Sequence, residues 1–212
     1  NNKSKIEKLI GIKNLKGKII FSKYPSLEAQ ISAISDDIAY NNHDIQDGIK
    51  AKLFSFDDLI QINFFNEIYK SQIKNIKGKN QNILIYQIIR DSINLMVKDL
   101  INNTLKNIKN YKIKNLKNVY NCPNNIVQFS NKFRNIEHQI KIFLRTKMYN
   151  NKNVLKKNNE GKKIIIKLFK EISKKPYKFI NKENIKDNKY RSISDYISGM
   201  TDRYAINLYK EL

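Results

Sequence analysis

The chain has 212 residues and a formal net charge of +22, from 41 Lys and Arg against 19 Asp and Glu, and its length allows one domain or two small ones with a true core. The single cysteine, Cys122, excludes an internal disulfide framework and a cysteine-rich zinc site, and two histidines are too few for a histidine-rich metal centre. No apolar run approaches the roughly 18 residues of a membrane span, and residues 1–4 do not begin a secretory signal, so we expect a soluble, reduced, cytoplasmic protein.

Only three prolines and six glycines occur, and apolar residues recur every three or four positions, which predicts an all-α chain. We expect residues 1–25 to form an irregular entry segment with a short strand or turn at 18–21. Pro25 and Ser26 are typical of a helix start, and Glu28 falls in the first turn of the helix that they would open.

A second helix start is indicated at Ser55, because Asp58 follows it at the spacing of a capping box and the apolar Leu59 comes next. The longest apolar period predicts a helix over 82–108. The remaining pattern predicts, in chain order, a loop with one short helix over 109–126, a helix over 131–149, a turn over 150–153, a helix over 160–173 that ends before Pro176, and a last helix over 193–209.

The positive charge is ambiguous as a sign of function. A strong excess of basic residues is typical of proteins that bind nucleic acid. Only five of the 41 basic residues are Arg, however, and the Lys, Asn and Ile that dominate the chain are what AT-rich codons supply. We favour this compositional origin. For the same reason we interpret the basic run over 105–117, with Tyr111 and Tyr149, as a solvated face in preference to a nucleic-acid surface.

The stretch 26–50 is the most informative part of the chain. As a helix it would place Asp36, Tyr40, Asp44 and Asp47 on one side, because they are spaced four, four and three residues apart. Neighbouring carboxylates are costly to bury, so they suit a site for a cation or a polyhydroxylated ligand beside the flat tyrosine ring. On spacing alone, a solvated acidic face is the favoured alternative. The apolar side of the same helix would consist of Leu27, Ile31, Ile34, Ile38 and Ile45.

Four stretches of the sequence carry a resemblance to a known family. PSLEAQISAISDDIAYNNHDIQDGIKAKLFSFDDL at 25–59 closely resembles the bacterial deoxyguanosine triphosphate triphosphohydrolase-like family of HD-domain enzymes, especially its alphaproteobacterial type. The similarity continues with IRDSINLMVKDLINNT at 89–104 and VQFSNKFRNIEHQIKIFLRTKMY at 127–149. It ends in DYISGMTDRYAINLY at 195–209, and it therefore spans nearly all of 24–212.

The resemblance implies an all-α protein of the helical HD-domain superfamily, of which this chain would be the C-terminal part. Family members are cytosolic, oligomeric and metal-dependent, and they cleave a dNTP to the deoxynucleoside and inorganic triphosphate. The implied partners are a dNTP, with dGTP expected, further copies of the chain as a homo-oligomer and, as an option, nucleic acid. The implied regions are an entry segment at 1–25, the C-terminal part of the HD helical core at 26–108, and a C-terminal helical region at 109–212 that ends in the DYISGMTDRYA motif.

The same resemblance assigns roles to three residues of the 26–50 stretch. Asp36 takes the position of a ligand to a divalent metal (Mg²⁺ or Mn²⁺), Tyr40 that of a residue packed against the nucleotide, and Asp44 that of a contact to the deoxyribose 3′-hydroxyl. Asp37 would point off this face, since adjacent helix residues diverge by about 100°. His43 is not expected to reach the metal.

The family's other metal ligands and its catalytic residues do not occur in this sequence. They comprise an upstream His, a His-Asp pair and a following catalytic His and acidic residue, and neither His43 nor His138 fits those motifs. One Asp cannot hold a metal ion tightly or activate its water. Because Asn1 is not an initiator Met, we expect the true start to lie upstream. Because only one of the family's metal ligands is present, we expect this chain alone to be inactive.

The upstream part would also cover the 26–50 helix and its neighbours. Without it, we expect an open edge in the core, low cooperativity of unfolding and exposed apolar surface. The apolar side chains expected at this edge are Ile31, Ile34, Ile38, Leu53 and Phe54.

The GMTDRYA motif near the C-terminus has two interpretations. Gly199 inside a helical run costs about 1 kcal/mol relative to Ala, which suggests a packing reason for it. Asp202 and Arg203 form either a buried structural pair that fixes the last helix against the 26–50 helix, or a pair whose Arg reaches substrate phosphates. We favour the structural pair, because nothing in the spacing singles out a phosphate.

Two functions remain open at the level of the sequence. The first is the C-terminal part of a metal-dependent dNTP triphosphohydrolase. The second is a non-catalytic basic helical module that binds nucleic acid or a partner subunit. Asp36, Tyr40 and Asp44 favour the first, because a binding module has no need of them, and we expect these three side chains to project into a concavity.

Overall fold

The structure, a computed structural model, describes residues 24–73, 81–185 and 188–212. Every regular element in those ranges is helical, which confirms the all-α class. The chain divides between Met148 and Tyr149 into two compact units, which we call unit 1 and unit 2.

Two further predictions concern the entry segment and the regional boundaries. The strand or turn at 18–21 lies outside the described residues. The regional boundary at 108/109 concerns the organisation of the family and stays a prediction.

Unit 1 has two long helices, α1 (Leu27–Lys50) and α4 (Gln81–Asn110). They confirm the helices predicted from residue 26 and over 82–108. The helix predicted over 131–149 is present as an α-helix followed by a π-helical turn. The shorter elements are α2 (Phe56–Leu59), α3 (Asn63–Ile73), α5 (Leu116–Tyr120), α6 (Asn131–Leu144) and the π-helical turn Arg145–Tyr149.

Side-chain caps set the starts of α1 and α2. Ser26 accepts a hydrogen bond from the backbone N–H of Ala29 at the predicted start of α1. Before α2, the Ser55 hydroxyl accepts from the N–H of Asp58, and the Asp58 carboxylate accepts from the N–H of Ser55. This reciprocal pair confirms the capping box.

The core of unit 1 lies where α1 packs against α4 and α6 and where α3 packs against α4. Ile38 and Phe54 are 3% and 6% exposed, so the prediction that they lie at an open edge is wrong. The Phe54 ring packs edge-on against Phe143 of α6, with ring centroids 4.8 Å apart, and this contact closes the core within unit 1. The rest of the predicted edge is more open, with Ile34 and Leu53 half-buried and Ile31 exposed.

A polar side chain of α1 fixes the segment that precedes α6. Gln30 is buried, and its side-chain oxygen accepts hydrogen bonds from the N–H groups of Ile126 at 2.9 Å and Val127 at 3.1 Å. Asn107 of α4 donates to the carbonyl of Ile126 at 2.9 Å. These bonds satisfy backbone groups that have no regular structure to pair with, and they hold the end of the predicted 109–126 loop against both long helices.

Unit 2 contains α7 (Lys152–Lys174), α8 (Lys189–Ser198), α9 (Asp202–Glu211) and the short 3₁₀ turns Pro176–Lys178 and Lys182–Asn184. α7 packs against α8 and α9. Within the described parts of both units, no helix is both long and apolar enough to cross a membrane. The core of unit 2 is formed by Leu168, Ile172, Ile180, Ile193, Ile197 and Ala205.

α7 begins at Lys152, so the predicted turn over 150–153 is confined to 150–151, and the predicted helix start at 160 is wrong. Asn151 caps the helix by accepting a hydrogen bond from the N–H of Asn153 at 2.9 Å. The stretch 155–163 is exposed throughout. Because it buries nothing, it shows no apolar period, and its Asn and Gly residues are typical of a turn.

The last helix, predicted as one over 193–209, is two helices with a break at 199–201. Gly199 ends α8, and Thr201 caps α9 by accepting a hydrogen bond from the N–H of Tyr204. The prediction that Gly199 lies inside a helix for a packing reason is therefore wrong. A Cβ at this position would meet nothing closer than 3.6 Å.

Candidate functional site

One side of α1 carries four residues that we call the acidic stripe: Asp36, Tyr40, Asp44 and Asp47. At about 100° per residue they lie within roughly 80° of arc, so they share one side of a single helix, as predicted. Asp36 and Asp47 are exposed, Tyr40 is 62% exposed, and Asp44 is half-buried. The stripe is therefore accessible to a ligand. That it lines a concavity stays a prediction.

The helix that bears the stripe is acidic as a whole. α1 has five carboxylates and one lysine, a formal charge of −4, in a chain whose net charge is +22. Such a segment attracts cations, and it repels phosphate groups unless a cation lies between them.

Asp37 lies off the stripe and is held by α6. Its carboxylate is 2.9 Å from Lys141 Nζ, which is also 2.7 Å from Glu137. Burial lowers the pKa of Lys141, but its hydrogen bonds to Glu137 and Asp37 outweigh burial and raise the pKa above its ordinary value. Asp37 thus shares the single charge of Lys141 with Glu137, and it points to α6 and not along the stripe. Asp36 is exposed and makes no ion pair within the described ranges.

The C-terminal end of the stripe meets the one lysine of α1. Lys50 Nζ lies 3.9 Å from the Asp47 carboxylate and 5.6 Å from the centroid of the Tyr86 ring on α4. Asp47 and Lys50 are both exposed, so this pair contributes little to stability. It does place a cation beside the outermost carboxylate of the stripe.

α1 is anchored in the core by polar and small residues that the apolar pattern does not predict. Asn42 is fully buried, and its Nδ2 donates to the carbonyl of Ile38 at 2.8 Å and to Sδ of Met96 on α4 at 3.6 Å. At Gly48, a Cβ would lie 2.2 Å from the Phe54 ring. For Asn42 the available signal was position, because it lies one turn after Ile38 on the same helix side. Gly48 lies one turn after Asp44, at the edge of the stripe, and its position gave no such signal.

The described residues contain no group of three or more His, Cys, Asp or Glu side chains that could hold a metal ion. The Asp36 carboxylate is a hard oxygen ligand of the kind that Mg²⁺ and Mn²⁺ prefer. His43 on α1 and His138 on α6 are both exposed. These residues alone do not fit a bound divalent ion, and Asp36 is suited to supply one ligand of a larger set.

The two polar residues of the C-terminal motif are both at the surface. Asp202 is the first residue of α9, Arg203 follows it, and both side chains are exposed. The prediction of a buried structural pair is therefore wrong. A carboxylate in the first helical turn is instead favourable to the helix dipole, and a phosphate contact by Arg203 stays a prediction.

A depression of about 560 Å³ lies where α8 gives way to α9. The hydroxyl groups of Tyr196 and Tyr204 are 3.4 Å apart at its wall. This hydrogen bond, with burial and the neighbouring phenol charge, raises the pKa of Tyr196 to about 12. The Tyr196 phenol therefore stays protonated at neutral pH. The lining residues are Asp195, Tyr196, Gly199, Met200, Thr201 and Tyr204.

Comparison with known proteins supports the resemblance seen in the sequence. Residues 127–211 match a family model described as a phosphohydrolase-associated domain. The chain is 65% identical over 207 residues to the deoxyguanosinetriphosphate triphosphohydrolase-like protein of Pelagibacter ubique (strain HTCC1062), covering 98% of this chain and 56% of that protein. A protein of the same name from Leptospira interrogans is 37% identical over 194 residues, covering 89% and 51%. One from Rickettsia prowazekii is 33% identical over 206 residues, covering 94% and 54%.

The chain thus spans about half the length of the curated relatives that it matches. The matched domain contains the stretches 127–149 and 195–209, and the alignments with the relatives extend the similarity over nearly all of the chain. Over nearly all of its length, and with an all-α fold, the chain is therefore similar to the matching part of proteins named deoxyguanosinetriphosphate triphosphohydrolase-like.

Proposed function

We propose that this chain is the C-terminal part of a metal-dependent dNTP triphosphohydrolase, which converts a dNTP, with dGTP expected, into the deoxynucleoside and inorganic triphosphate. The observation that carries the proposal is the exposed acidic stripe on α1, at the residues to which the family resemblance assigns metal and nucleotide contacts. Asp36 and Tyr40 are exposed and contribute little to the core, so the fold alone does not require them.

Asp36 would supply one carboxylate to a divalent metal ion, Mg²⁺ or Mn²⁺. The other ligands and the catalytic residues would come from the part of the protein outside this sequence. When bound, such an ion polarises phosphate oxygens. A cation at Asp36 would also offset the repulsion between a helix of charge −4 and a triphosphate.

Tyr40 and Asp44 would contact the nucleoside. The Tyr40 ring is exposed and offers a flat apolar face for packing. Asp44 would accept a hydrogen bond from the deoxyribose 3′-hydroxyl. The two residues are about 6 Å apart along the helix axis, so that one nucleoside can reach both.

Further parts of the proposal concern the C-terminal region and the assembly. Arg203, exposed beside Asp202, would contact substrate phosphates in its own subunit or in a neighbouring copy. The working protein would be a cytoplasmic homo-oligomer. Residues 26–108 would complete its HD helical core, and residues 109–212 would form its C-terminal helical region.

The test is a chimera in which this chain replaces the matching part of the Pelagibacter ubique protein, a substitution that 65% identity makes feasible. With Mn²⁺ or Mg²⁺, the chimera should release triphosphate from a dNTP. Asp36→Asn and Asp44→Asn should abolish or strongly reduce release, and Tyr40→Ala should mainly raise KM. The control Asp57→Asn, at an exposed carboxylate of α2, should behave like the parent. A parent chimera that folds but releases no triphosphate, or an active Asp36→Asn chimera, would refute the proposal.

A second candidate function is the binding of single-stranded nucleic acid through unit 2. Tyr177 is 63% exposed, with Lys182 Nζ 5.7 Å from its ring centroid. Tyr190 is 60% exposed and stacks on Phe169 of α7, a helix with eight lysines and two glutamates. Exposed rings beside lysines are the groups on which bases stack while the backbone phosphates are neutralised.

This second function predicts salt-dependent binding of a labelled oligonucleotide to the chain. Tyr177→Ala should weaken binding several-fold, whereas the control Tyr86→Ala, at an exposed tyrosine of α4, should leave it unchanged. Equal weakening by both variants, or no binding at low salt, would exclude a specific surface in unit 2.

A further inference from the structure

Three buried polar side chains of unit 1 each have an atom without a protein partner. Asn41 and Asn42 of α1 are 7% and 0% exposed, and Ser92 of α4 is 0% exposed. The atoms in question are Asn41 Nδ2, Asn42 Oδ1 and Ser92 Oγ. Because a buried polar group without a hydrogen bond is costly, three such atoms in one core require an explanation.

These residues belong to the packed junction of α1 with its neighbours. α1 and α4 run in opposite directions, since Leu27 and Ile108 line one pocket at one end and Lys50 lies over Tyr86 at the other. Midway between those ends, Asn42 Nδ2 donates to Sδ of Met96.

Ser92 lies one helical turn before Met96 on the same side of α4. Because α1 and α4 are antiparallel, this turn of α4 lies opposite the residues of α1 that follow Asn42. The Ser92 hydroxyl therefore lies on the side of α4 that faces α1, one turn from the contact of Met96 with Asn42. Asn41 precedes Asn42 and lies on the same buried half of α1.

The three atoms form a complementary set. Asn41 Nδ2 is a donor, Asn42 Oδ1 is an acceptor, and Ser92 Oγ can be either. A buried water typically makes about three hydrogen bonds, and it can accept one, donate one and make the third in either sense. A cation does not suit the set, because it cannot pair with an amide N–H, and the three residues are uncharged.

We propose that Asn41, Asn42 and Ser92 form a binding site for one buried water molecule in the core of unit 1. Asn42 is the centre of this site, because its amide group is already fixed by the Ile38 carbonyl at 2.8 Å. The water would tie α1 to α4 through a polar contact that only one rotation of α1 satisfies.

The functional consequence rests on the proposed function, whereas the water site does not. Asn42 lies roughly 160° around α1 from Tyr40 and from Asp44. A contact that fixes the rotation of α1 at Asn42 therefore also fixes the direction of the acidic stripe. In this sense Asn42 and Ser92 are positioning residues for the candidate site.

The first experiment uses the full chain and the variant Ser92→Ala, which removes one hydroxyl. If the hydroxyl binds water, its loss should lower Tm, by about 2–4 °C for a single hydrogen bond in a chain of this size. If the hydroxyl has no partner, its removal should raise Tm. The matched control is Ser35→Ala on α1, because Ser35 is exposed and reports the gain in helix propensity alone. A Tm of Ser92→Ala equal to or above that of the control would overturn the proposal.

The second experiment detects the water directly by NMR magnetisation transfer. A long-lived water should give cross-peaks to the side-chain amide of Asn41 in the parent chain, and these should vanish in Ser92→Ala. Backbone amide shifts over residues 36–44 should change in Ser92→Ala beyond the local change seen in Ser35→Ala. Absence of the cross-peaks in the parent would overturn the water site, and unchanged shifts would overturn the positioning role. Both readouts are independent of dNTP hydrolysis, so failure of the proposed function would leave them unaffected.

Discussion

Gly48 is the residue of α1 at which a side chain would collide most directly with its surroundings. It is buried in the last turns of the helix, and the nearest atoms of the Phe54 ring lie 2.2 and 2.5 Å from where its Cβ would be. The ring is itself buried and packs against Phe143, so it has little room to withdraw. Glycine is otherwise unfavourable inside a helix, and close packing outweighs that cost here.

We expect Gly48→Ala to lower the free energy of unfolding by about 1–3 kcal/mol, because overpacking outweighs the better helix propensity of alanine. The measurement is urea unfolding followed by circular dichroism. Gly161→Ala on α7 is the matched control: it is also a glycine within a helix, and a Cβ there would meet nothing within 4 Å. This control should gain about 0.5–1 kcal/mol. Similar gains for both variants would show that the Phe54 contact does not select glycine.

Asp58 links α2 to the π-helical turn that follows α6. Its carboxylate accepts hydrogen bonds from Lys147 Nζ at 2.8 Å and from the N–H and hydroxyl of Ser55, both at 2.8 Å. These hydrogen bonds lower the pKa of Asp58 to about 2, and the bond from Lys147 contributes most, followed by those from Ser55. The charged form is thus favoured by folding.

This shift predicts a pH dependence of stability. The pKa of Asp58 is lower in the folded chain than the value of about 3.9 expected when unfolded, so its contribution is fully present above that value and is lost as the pH falls towards 2. The stability difference between the parent and Asp58→Asn should therefore shrink between pH 4 and pH 2, and solvent screening keeps it small. Denaturant unfolding at pH 5, 4 and 3 measures this difference. Asp57→Asn, a neighbouring exposed carboxylate, should show no such trend, and a difference for Asp58→Asn that is constant with pH would contradict the assignment.

At the scale of elements, α4 exposes an apolar stripe along a helix of 30 residues. By helical period its five members lie within roughly 100° of arc. A continuous open apolar surface of unit 1 therefore lies on α4, whereas Ile38 and Phe54, two of the five residues at which the sequence placed such a surface, are buried. The members, with their exposed fractions, are Ile83 (51%), Tyr86 (52%), Val97 (38%), Ile101 (53%) and Leu105 (60%).

This stripe should bind an environment-sensitive apolar dye. The double variant Ile101→Lys/Leu105→Lys should reduce dye fluorescence substantially without lowering Tm, because both side chains already face solvent. The control is Ile142→Lys on α6, an exposed isoleucine outside the stripe that should leave dye binding nearly unchanged. Equal effects of the two changes would mean that the dye reports general charge and not the stripe.

Across the whole chain, local sequence signals predicted most of the helices, whereas contacts between distant residues determine which polar and small side chains are buried. Ser26 and Ser55 mark their helix starts by capping chemistry, and the apolar period of α4 is long enough to define it. The break before Thr201 was missed because apolar residues continue in phase across it.

The candidate site also combines features that local spacing predicts with features that depend on distant contacts. Asp36, Tyr40 and Asp44 share a helix side, as their spacing predicts. The partners of the residues that anchor α1 could not be predicted, because the hydrogen bond of Asn42 depends on Met96, and the need for Gly48 depends on Phe54. Such contacts join parts of the chain whose packing no local pattern specifies.

We expect no dNTP hydrolysis by this chain alone. The chain spans about half the length of its relatives, and its described residues offer Asp36 as one candidate metal ligand without a completed group. One carboxylate binds Mg²⁺ or Mn²⁺ only weakly and leaves its water unactivated. Incubation with each of the four dNTPs and either metal should therefore give no triphosphate release above that of buffer. Turnover in the parent that disappears in Asp36→Ala but persists in Asp57→Ala would contradict this prediction and show that the chain completes the metal site without a further part of the protein.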